Sequence, residues 1–410
     1  MMTLNDSQTL AIEKLHKLKV GALFMEQGTG KTRVAIELIE STNATLAVFF
    51  CPFSTKNNLE NELKKWSFSK EYLIVGYETL SASNQKYLEL LAQLQSEKEV
   101  FLVADESIFI KNEQSKRFNR LIELAKYSEY RLILNGTPVT KDEWDLYNQM
   151  NFLSPKIIGM NRNEFLRTFF KKIRFKRRGQ PEQEFYKLSD VNIGYLHQLL
   201  EPYIFQADLR FDKRETVKEV QIAAGDETYF NYQSAKDTLL KSLELGECKV
   251  EMFTNLANIC FSDEERHKSI AKQLNGQIIV FCTLLSEVRN IASVIDCYVI
   301  TGETKNRDNI IEKFKNNNKP LLITFGTGAF GLNLQFCNRI AFASLTFDYG
   351  KIDQAKARIR RLGQNKNIEY TYFISDLGIF NMIQENVERK MTLEELVIKK
   401  IEEGKVHECV

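Results

Sequence analysis

One short loop limits what this chain can become: Met25-Glu26-Gln27-Gly28-Thr29-Gly30-Lys31-Thr32. The apolar run before it, 20–25, reads as a buried strand. In 33–40, after it, apolar residues recur at helical spacing. Strand, glycine-rich turn and helix in that order aim several backbone N–H groups, and the positive end of a helix dipole, at one spot. Such a spot cradles a polyphosphate. Lys31 is placed to reach the β and γ phosphates, and the Thr32 hydroxyl to ligate Mg²⁺.

The rest of the chain repeats the theme. Short apolar runs at 45–51, 72–75, 100–104 and 131–134 alternate with helix-patterned stretches. This is the signature of a parallel α/β sheet, whose ligands bind at strand C-terminal ends. Residues 156–275 read differently: apolar runs thin out and basic residues interleave with aromatic ones, as in 171–178. That cluster is either a DNA-facing patch or a solvated surface hairpin. Strand-like runs resume at 277–282, 297–300, 321–324, 339–343 and 369–374. The expected division is therefore a first α/β lobe over 1–155, a mostly helical insertion with a basic patch over 156–275, a second α/β lobe over 276–380, and a helical tail over 381–410.

Composition narrows the class. Hydrophobic residues at 43% and charged residues at 27% describe a globular chain. The net charge of +2 does not announce a nucleic-acid partner, so local clustering has to carry that argument. Seven cysteines form no CxxC pair and read as reduced core thiols of a cytoplasmic protein. Four scattered histidines suggest no zinc site, and no uncharged apolar run approaches membrane-spanning length.

Two further clusters carry chemistry. Asp105-Glu106 closes a buried strand. Alone it is either a pair of solvated turn acids or a metal-and-base pair. With the phosphate loop upstream, Asp105 is expected to hold Mg²⁺ through water, and Glu106 to orient or deprotonate the attacking water. In 354–364, Arg358 and Arg361 stand at i, i+3 and are expected to share a helix face. By itself this is a solvated basic helix. Facing a phosphate loop, it is a pair of arginine fingers.

The ordered motifs resemble the Swi/Snf-type branch of helicase superfamily 2, whose members are double-stranded-DNA-translocating ATPases. Gln27-Gly-Thr-Gly-Lys-Thr32 is similar to the family's MGLGKT, and Cys51-Pro-Phe-Ser54 through Trp66 to its CPLS…EFKKW. Asp105 to Asn112 resembles DEAHRIKN, and Leu134 to Pro138 with 151–155 resembles TGTP…NFLSP. Gly302-Glu-Thr304 with Arg307 and Phe314, 328–334, and Gln354 to Gln364 resemble DGST…R…F, GGLGINL and QAxxRxxRxGQ. The motifs keep the family's order over roughly 4–375. Three positions depart from it: Ile108 replaces the His of DEAH, Asn135 a Thr, and Phe347 stands near a usual Trp.

The resemblance implies two RecA-like lobes. ATP would be held by Gln8, Gln27, Gly28, Thr29, Gly30, Lys31, Thr32 and Arg33, with Gly331 added from the second lobe. Catalysis would fall to Lys31, Asp105, Glu106, Arg358 and Arg361, and metal binding to Thr32 and Asp105. Duplex DNA would be gripped through its phosphates, without sequence preference, by Ser54, Thr55, Tyr77, Thr304, Lys305, Gly326 and Thr327. The expected activity is ATP-driven translocation on double-stranded DNA. The alternatives are a strand-separating DNA or RNA helicase and a weakly hydrolysing, ATP-gated DNA scaffold. The expected setting is the cytoplasm, in association with DNA, and the compact build leans towards a phage or prokaryotic source.

Overall fold

A computed structural model describes residues 4–136, 144–175, 183–189, 191–209, 211–245, 247–328, 332, 334–361, 363–389, 391 and 393–410. The chain divides into two compact units, Met1–Arg210 and Phe211–Val410.

In the first unit the apolar runs become strands β1 (Val20–Met25), β2 (Leu46–Cys51), β3 (Glu71–Gly76), β4 (Val100–Asp105) and β5 (Tyr130–Asn135). A hairpin follows, β6 (Phe170–Phe175) and β7 (Gln183–Leu188), and then β8 (Ile204–Ala207). The main sheet runs β3-β2-β4-β5-β1-β8, with every pair parallel. β2 is buried along its whole length, as expected of a strand covered on both faces. The flanking helices bury one side each. Lys116–Ala125 turns Phe118, Leu121 and Leu124 inward and is capped by Ser115, which accepts a hydrogen bond from the Phe118 N–H.

The second unit holds β9 (Glu215–Ile222), β10 (Ile279–Cys282), β11 (Tyr298–Ile300), β12 (Leu321–Thr324), β13 (Arg339–Phe342) and β14 (Ile368–Ser375). Their order is β11-β12-β10-β13-β14-β9, again all parallel. Phe281, Phe325 and Phe342 form an aromatic cluster, and Tyr372 stacks on Phe342. Each unit is thus a RecA-like lobe, a parallel sheet flanked by helices.

The boundary differs from the expected one. Residues 156–275 do not form a separate block. Ile157, Phe165, Phe169 and Leu196 share a core with Val48 and Leu102 of the first unit. Tyr232, Leu239 and Phe253 share a core with Phe281 and Ile340 of the second. Apolar helix faces have to be buried somewhere, and here each half lies against the sheet nearer to it in sequence. The residues after 380 likewise join the second core through Ile383, Leu396 and Val406.

Candidate active site

β1 lies between β5 and β8, and β4 lies on the far side of β5. The C-terminal ends of β1, β5 and β4 therefore bring the phosphate loop, Gly136 and Asp105 to one edge of one sheet. The loop turns sharply: Gly28 and Gly30 have φ of 85° and 87°, in the left-handed region. A Cβ on Gly30 would also sit 2.3 Å from Gln8 Nε2. Gln8 explains that closeness, because its Nε2 donates to the Thr29 carbonyl at 3.0 Å and braces the loop from outside. Its own helix, Asp6–Leu15, begins with a capping box in which Gln8 and Asn5 exchange hydrogen bonds.

Helix Lys31–Glu40 starts directly at the loop without a side-chain cap, so its first N–H groups face the turn. Lys31 Nζ donates to the Met25 carbonyl at 2.8 Å. Gly136 covers the same place, since a Cβ there would lie 3.6 Å from Lys31 Nζ and 3.1 Å from Gln27 Cγ. In the sequence Gly136 is no more than a letter of the 134–138 motif. Its role, leaving room above the lysine, needs three dimensions to be seen.

Asp105 and Glu106 stand opposite. Burial pushes the Asp105 carboxyl up to about 7, the Glu106 charge adds to the rise, and the Lys31 ammonium opposes it. The Glu106 N–H donates back to Asp105 Oδ1 at 3.0 Å. Glu106 itself has φ of 51°, a left-handed conformation that strains a non-glycine residue and is over-represented at functional sites. Two contacts anchor this turn. The Tyr77 hydroxyl donates to the Asp105 carbonyl at 2.8 Å, and Ser107 Oγ donates to Gln149 Oε1 at 2.5 Å. Ile108, beside Ser107, is half-buried. A cradle closed to side chains, a lysine and a carboxylate sharing one field, and a second carboxylate beside them suit a nucleoside triphosphate with a divalent cation. Thr32 lies in the first helical turn, half-exposed.

Several expected residues sit elsewhere. Arg33 stacks on Trp66, 4.4 Å from the ring centroid, and pairs with Glu37 on its own helix, so its guanidinium serves the packing of that helix. Tyr77 is fully buried and stacked on Phe109, which removes it from any duplex-facing surface. Ser54 is exposed, and Thr55 is half-buried with Oγ1 donating to the Pro52 carbonyl.

In the second unit Thr304 Oγ1 accepts the Thr301 N–H at 2.9 Å, while Lys305 and Gly326 are exposed. Thr327 is 6% exposed, and its hydroxyl lies 3.0 Å from that of Thr324. Its oxygen accepts from the Thr324 hydroxyl and supports the turn after β12 from within. Gly331, Thr137, Pro138 and the 176–178 part of the basic cluster lie outside the described residues, whereas Lys171 and Lys172 are exposed.

The arginine pair also differs from expectation. Helix Tyr349–Lys356 ends before it, so Arg358 and Arg361 do not share a helix face. They lie in successive turns instead, where the Arg358 N–H reaches Ala355 O and the Arg361 N–H reaches Ile359 O. Arg358 is 4% exposed and its Nη1 donates to the Leu332 carbonyl at 3.3 Å. Arg361 is half-exposed, with Nε on the Ala357 carbonyl at 2.7 Å. Gln364 fixes the segment, donating from Nε2 to the carbonyls of Gln335 and Cys337 at 2.9 Å each.

Two family models match the chain: the SNF2-related domain over residues 68–270 and the helicase conserved C-terminal domain over 262–363. It is 24% identical to the ISWI chromatin-remodeling complex ATPase ISW2 of Saccharomyces cerevisiae, an alignment covering 94% of this chain and 40% of that protein. It is 25% identical to the SWI/SNF chromatin-remodeling complex subunit snf22 of Schizosaccharomyces pombe, over 97% of this chain and 28% of that one. An uncharacterized ATP-dependent helicase of Mycoplasma genitalium is 22% identical over 93% of the chain, which spans 40% of its length. Among solved structures, the Sulfolobus solfataricus SWI2/SNF2 ATPase core in complex with dsDNA matches with a TM-score of 0.43 at 21% identity, covering 94% of this chain and 90% of that one. The chain therefore spans well under half the length of these curated relatives.

Proposed function

The chain belongs to the Swi/Snf-type branch of helicase superfamily 2, and from that premise we propose that it is a DNA-dependent ATPase that translocates on double-stranded DNA. The observation that carries the reading is the meeting of Lys31, Asp105 and Glu106 at one sheet edge, with the Asp105 carboxyl titrating in the field of the Lys31 ammonium. ATP is the substrate. Its phosphates would lie on the backbone of 28–32, with Lys31 compensating their charge and Gln8 holding the loop in shape. Thr32 and Asp105 would hold Mg²⁺, which would supply positive charge against the phosphates. Glu106, turned by its left-handed backbone, would accept a proton from the attacking water as the γ-phosphoryl group passes to it. Arg361, half-exposed beyond its helix, would stabilise the charge that builds on that group, with Arg358 setting its segment.

DNA contact would be to phosphates and without sequence preference, through Ser54, Thr55, Thr304, Lys305 and the backbone at Gly326. The names of the curated relatives, chromatin-remodeling ATPases, support this partner class.

ATP hydrolysis measured in parallel with no nucleic acid, duplex DNA, single-stranded DNA and RNA tests the reading. Stimulation of about tenfold or more by duplex supports it. Stimulation by single strands alone replaces translocation with strand separation, and no stimulation by any of them leaves the scaffold.

A further inference from the structure

We propose that Glu26 is a positioning residue that couples occupancy of the phosphate loop to the segment by which the chain leaves the first unit. The inference rests on reading that loop as an ATP site controlled by DNA. β8 is the edge strand beside β1, in register from Ala22 opposite Ile204 to Met25 opposite Ala207. Past that register the two strands part. β1 enters the phosphate loop, and β8 runs into Asp208 and Leu209, close to the end of the first unit.

Glu26 ties the two together at that fork. Its N–H donates to the Ala207 carbonyl at 2.8 Å, and its Oε2 accepts the Leu209 N–H at 2.7 Å. Leu209 is 6% exposed, so its side chain is packed while its amide rests on the carboxylate. On the loop side, the Thr29 N–H and hydroxyl donate to the Glu26 carbonyl at 3.3 and 2.7 Å. Gln8 Nε2 then holds the Thr29 carbonyl at 3.0 Å. An unbroken hydrogen-bonded path thus leads from Gln8 through Thr29 and Glu26 to Leu209, and its middle is the turn that phosphates engage.

Charge explains the choice of residue. A carboxylate beside a polyphosphate cradle works against anion binding unless its charge is used elsewhere, and here it is aimed at the Leu209 amide. Phosphates engaging the loop amides would set the position of residue 26, and Glu26 would carry that setting to 207–209. Because coupling between sites is reciprocal, a change imposed at 207–209 would be felt at the loop.

Hydrogen exchange on the full chain tests this, with and without a non-hydrolysable ATP analogue and Mg²⁺. The amides of 205–209 should exchange about tenfold more slowly with the analogue in the native chain, with no such change in Glu26→Ala. Glu26→Gln keeps an acceptor oxygen and should keep the response. In turnover, Glu26→Ala should lose about tenfold of its duplex stimulation ratio while its KM for ATP stays within about threefold, and Glu26→Gln should recover at least half of the loss. No effect of the analogue on native exchange overturns the coupling, as does an unchanged stimulation ratio in Glu26→Ala. Should Glu26→Ala not fold, the native and Glu26→Gln exchange responses decide. If the native chain is not stimulated by duplex at all, the functional reading falls, and exchange alone judges the link.

Discussion

Glu106 has a left-handed backbone, φ 51°, directly after a buried strand, and keeps it although a side chain makes that conformation costly by about 1–3 kcal/mol. The strain is tolerable because Tyr77 holds Asp105 on one side of it and Gln149 holds Ser107 on the other. Glu106→Gln keeps the shape and loses the base. Its KM for ATP should stay within about threefold while kcat falls by about a hundredfold or more, measured by steady-state hydrolysis with saturating duplex. Turnover at the native rate would require another base. Asp105 yields a prediction about pH. Its carboxyl is pushed from 3.8 in the unfolded chain to about 7 in the folded one, so the charged form is disfavoured by folding. That contribution to stability is complete below 3.8 and is lost as pH rises through about 7. In thermal melts without nucleotide or Mg²⁺, Asp105→Asn should therefore melt above the native chain at pH 8, and the gap should close by pH 4. A constant gap would assign the effect to packing.

At the scale of elements, His267 binds through both ring nitrogens, Nε2 to the Phe261 carbonyl at 2.9 Å and Nδ1 to the Asn290 side-chain amide at 3.1 Å. Only the neutral ring can donate at one nitrogen and accept from Asn290 at the other. Burial holds its pKa below the usual 6.5, so the stability it gives is present above 6.5 and is lost as pH falls below that value. Thermal melts should show a smaller loss between pH 7.5 and 5.5 in His267→Gln, which cannot charge, than in the native chain. Equal losses would place the pH sensitivity in other groups. The same scale shows what the sequence could reveal. β2, β4, β10 and β12 are buried on both faces, and their unbroken apolar runs mark them in the sequence. β9 pairs with β14 over eight residues, yet Glu-Thr-Val-Lys-Glu-Val-Gln-Ile is mostly exposed, and no apolar run betrays an edge strand. β8 is only four residues long. These two strands fix where the units divide, which is why the boundary at 210 was hidden while the strands around the loop were legible. In the site, Lys31, Asp105 and Glu106 stood out because polar residues after apolar strands are conspicuous. Tyr77 and Thr327 were hidden for the reverse reason: a hydroxyl after a strand looks the same in sequence whether it faces solvent, a backbone carbonyl as at Tyr77, or a neighbouring hydroxyl as at Thr327.

For the whole molecule, the proposed cycle requires that arginines of the second unit act on the γ-phosphate held by the loop of the first. The two arginines should not behave alike. Arg358 is 4% exposed and bonded to the Leu332 carbonyl, so removing it leaves buried acceptors unpaired and should lower the melting temperature along with turnover. Arg361 is half-exposed, beyond the end of helix Tyr349–Lys356, and its loss should cost the fold little. If it acts on charge that develops only in the transition state, Arg361→Ala should leave ATP affinity within about threefold while kcat falls by about a thousandfold. Equilibrium binding of a fluorescent ATP analogue, steady-state hydrolysis with duplex DNA and thermal melts on the same preparations separate the cases. A parallel loss of affinity and melting temperature in Arg361→Ala would make it a structural arginine and leave the finger role to Arg358 or to neither. A selective loss of kcat would make Arg361 a group that acts on the transition state of ATP hydrolysis and not on the binding of ATP.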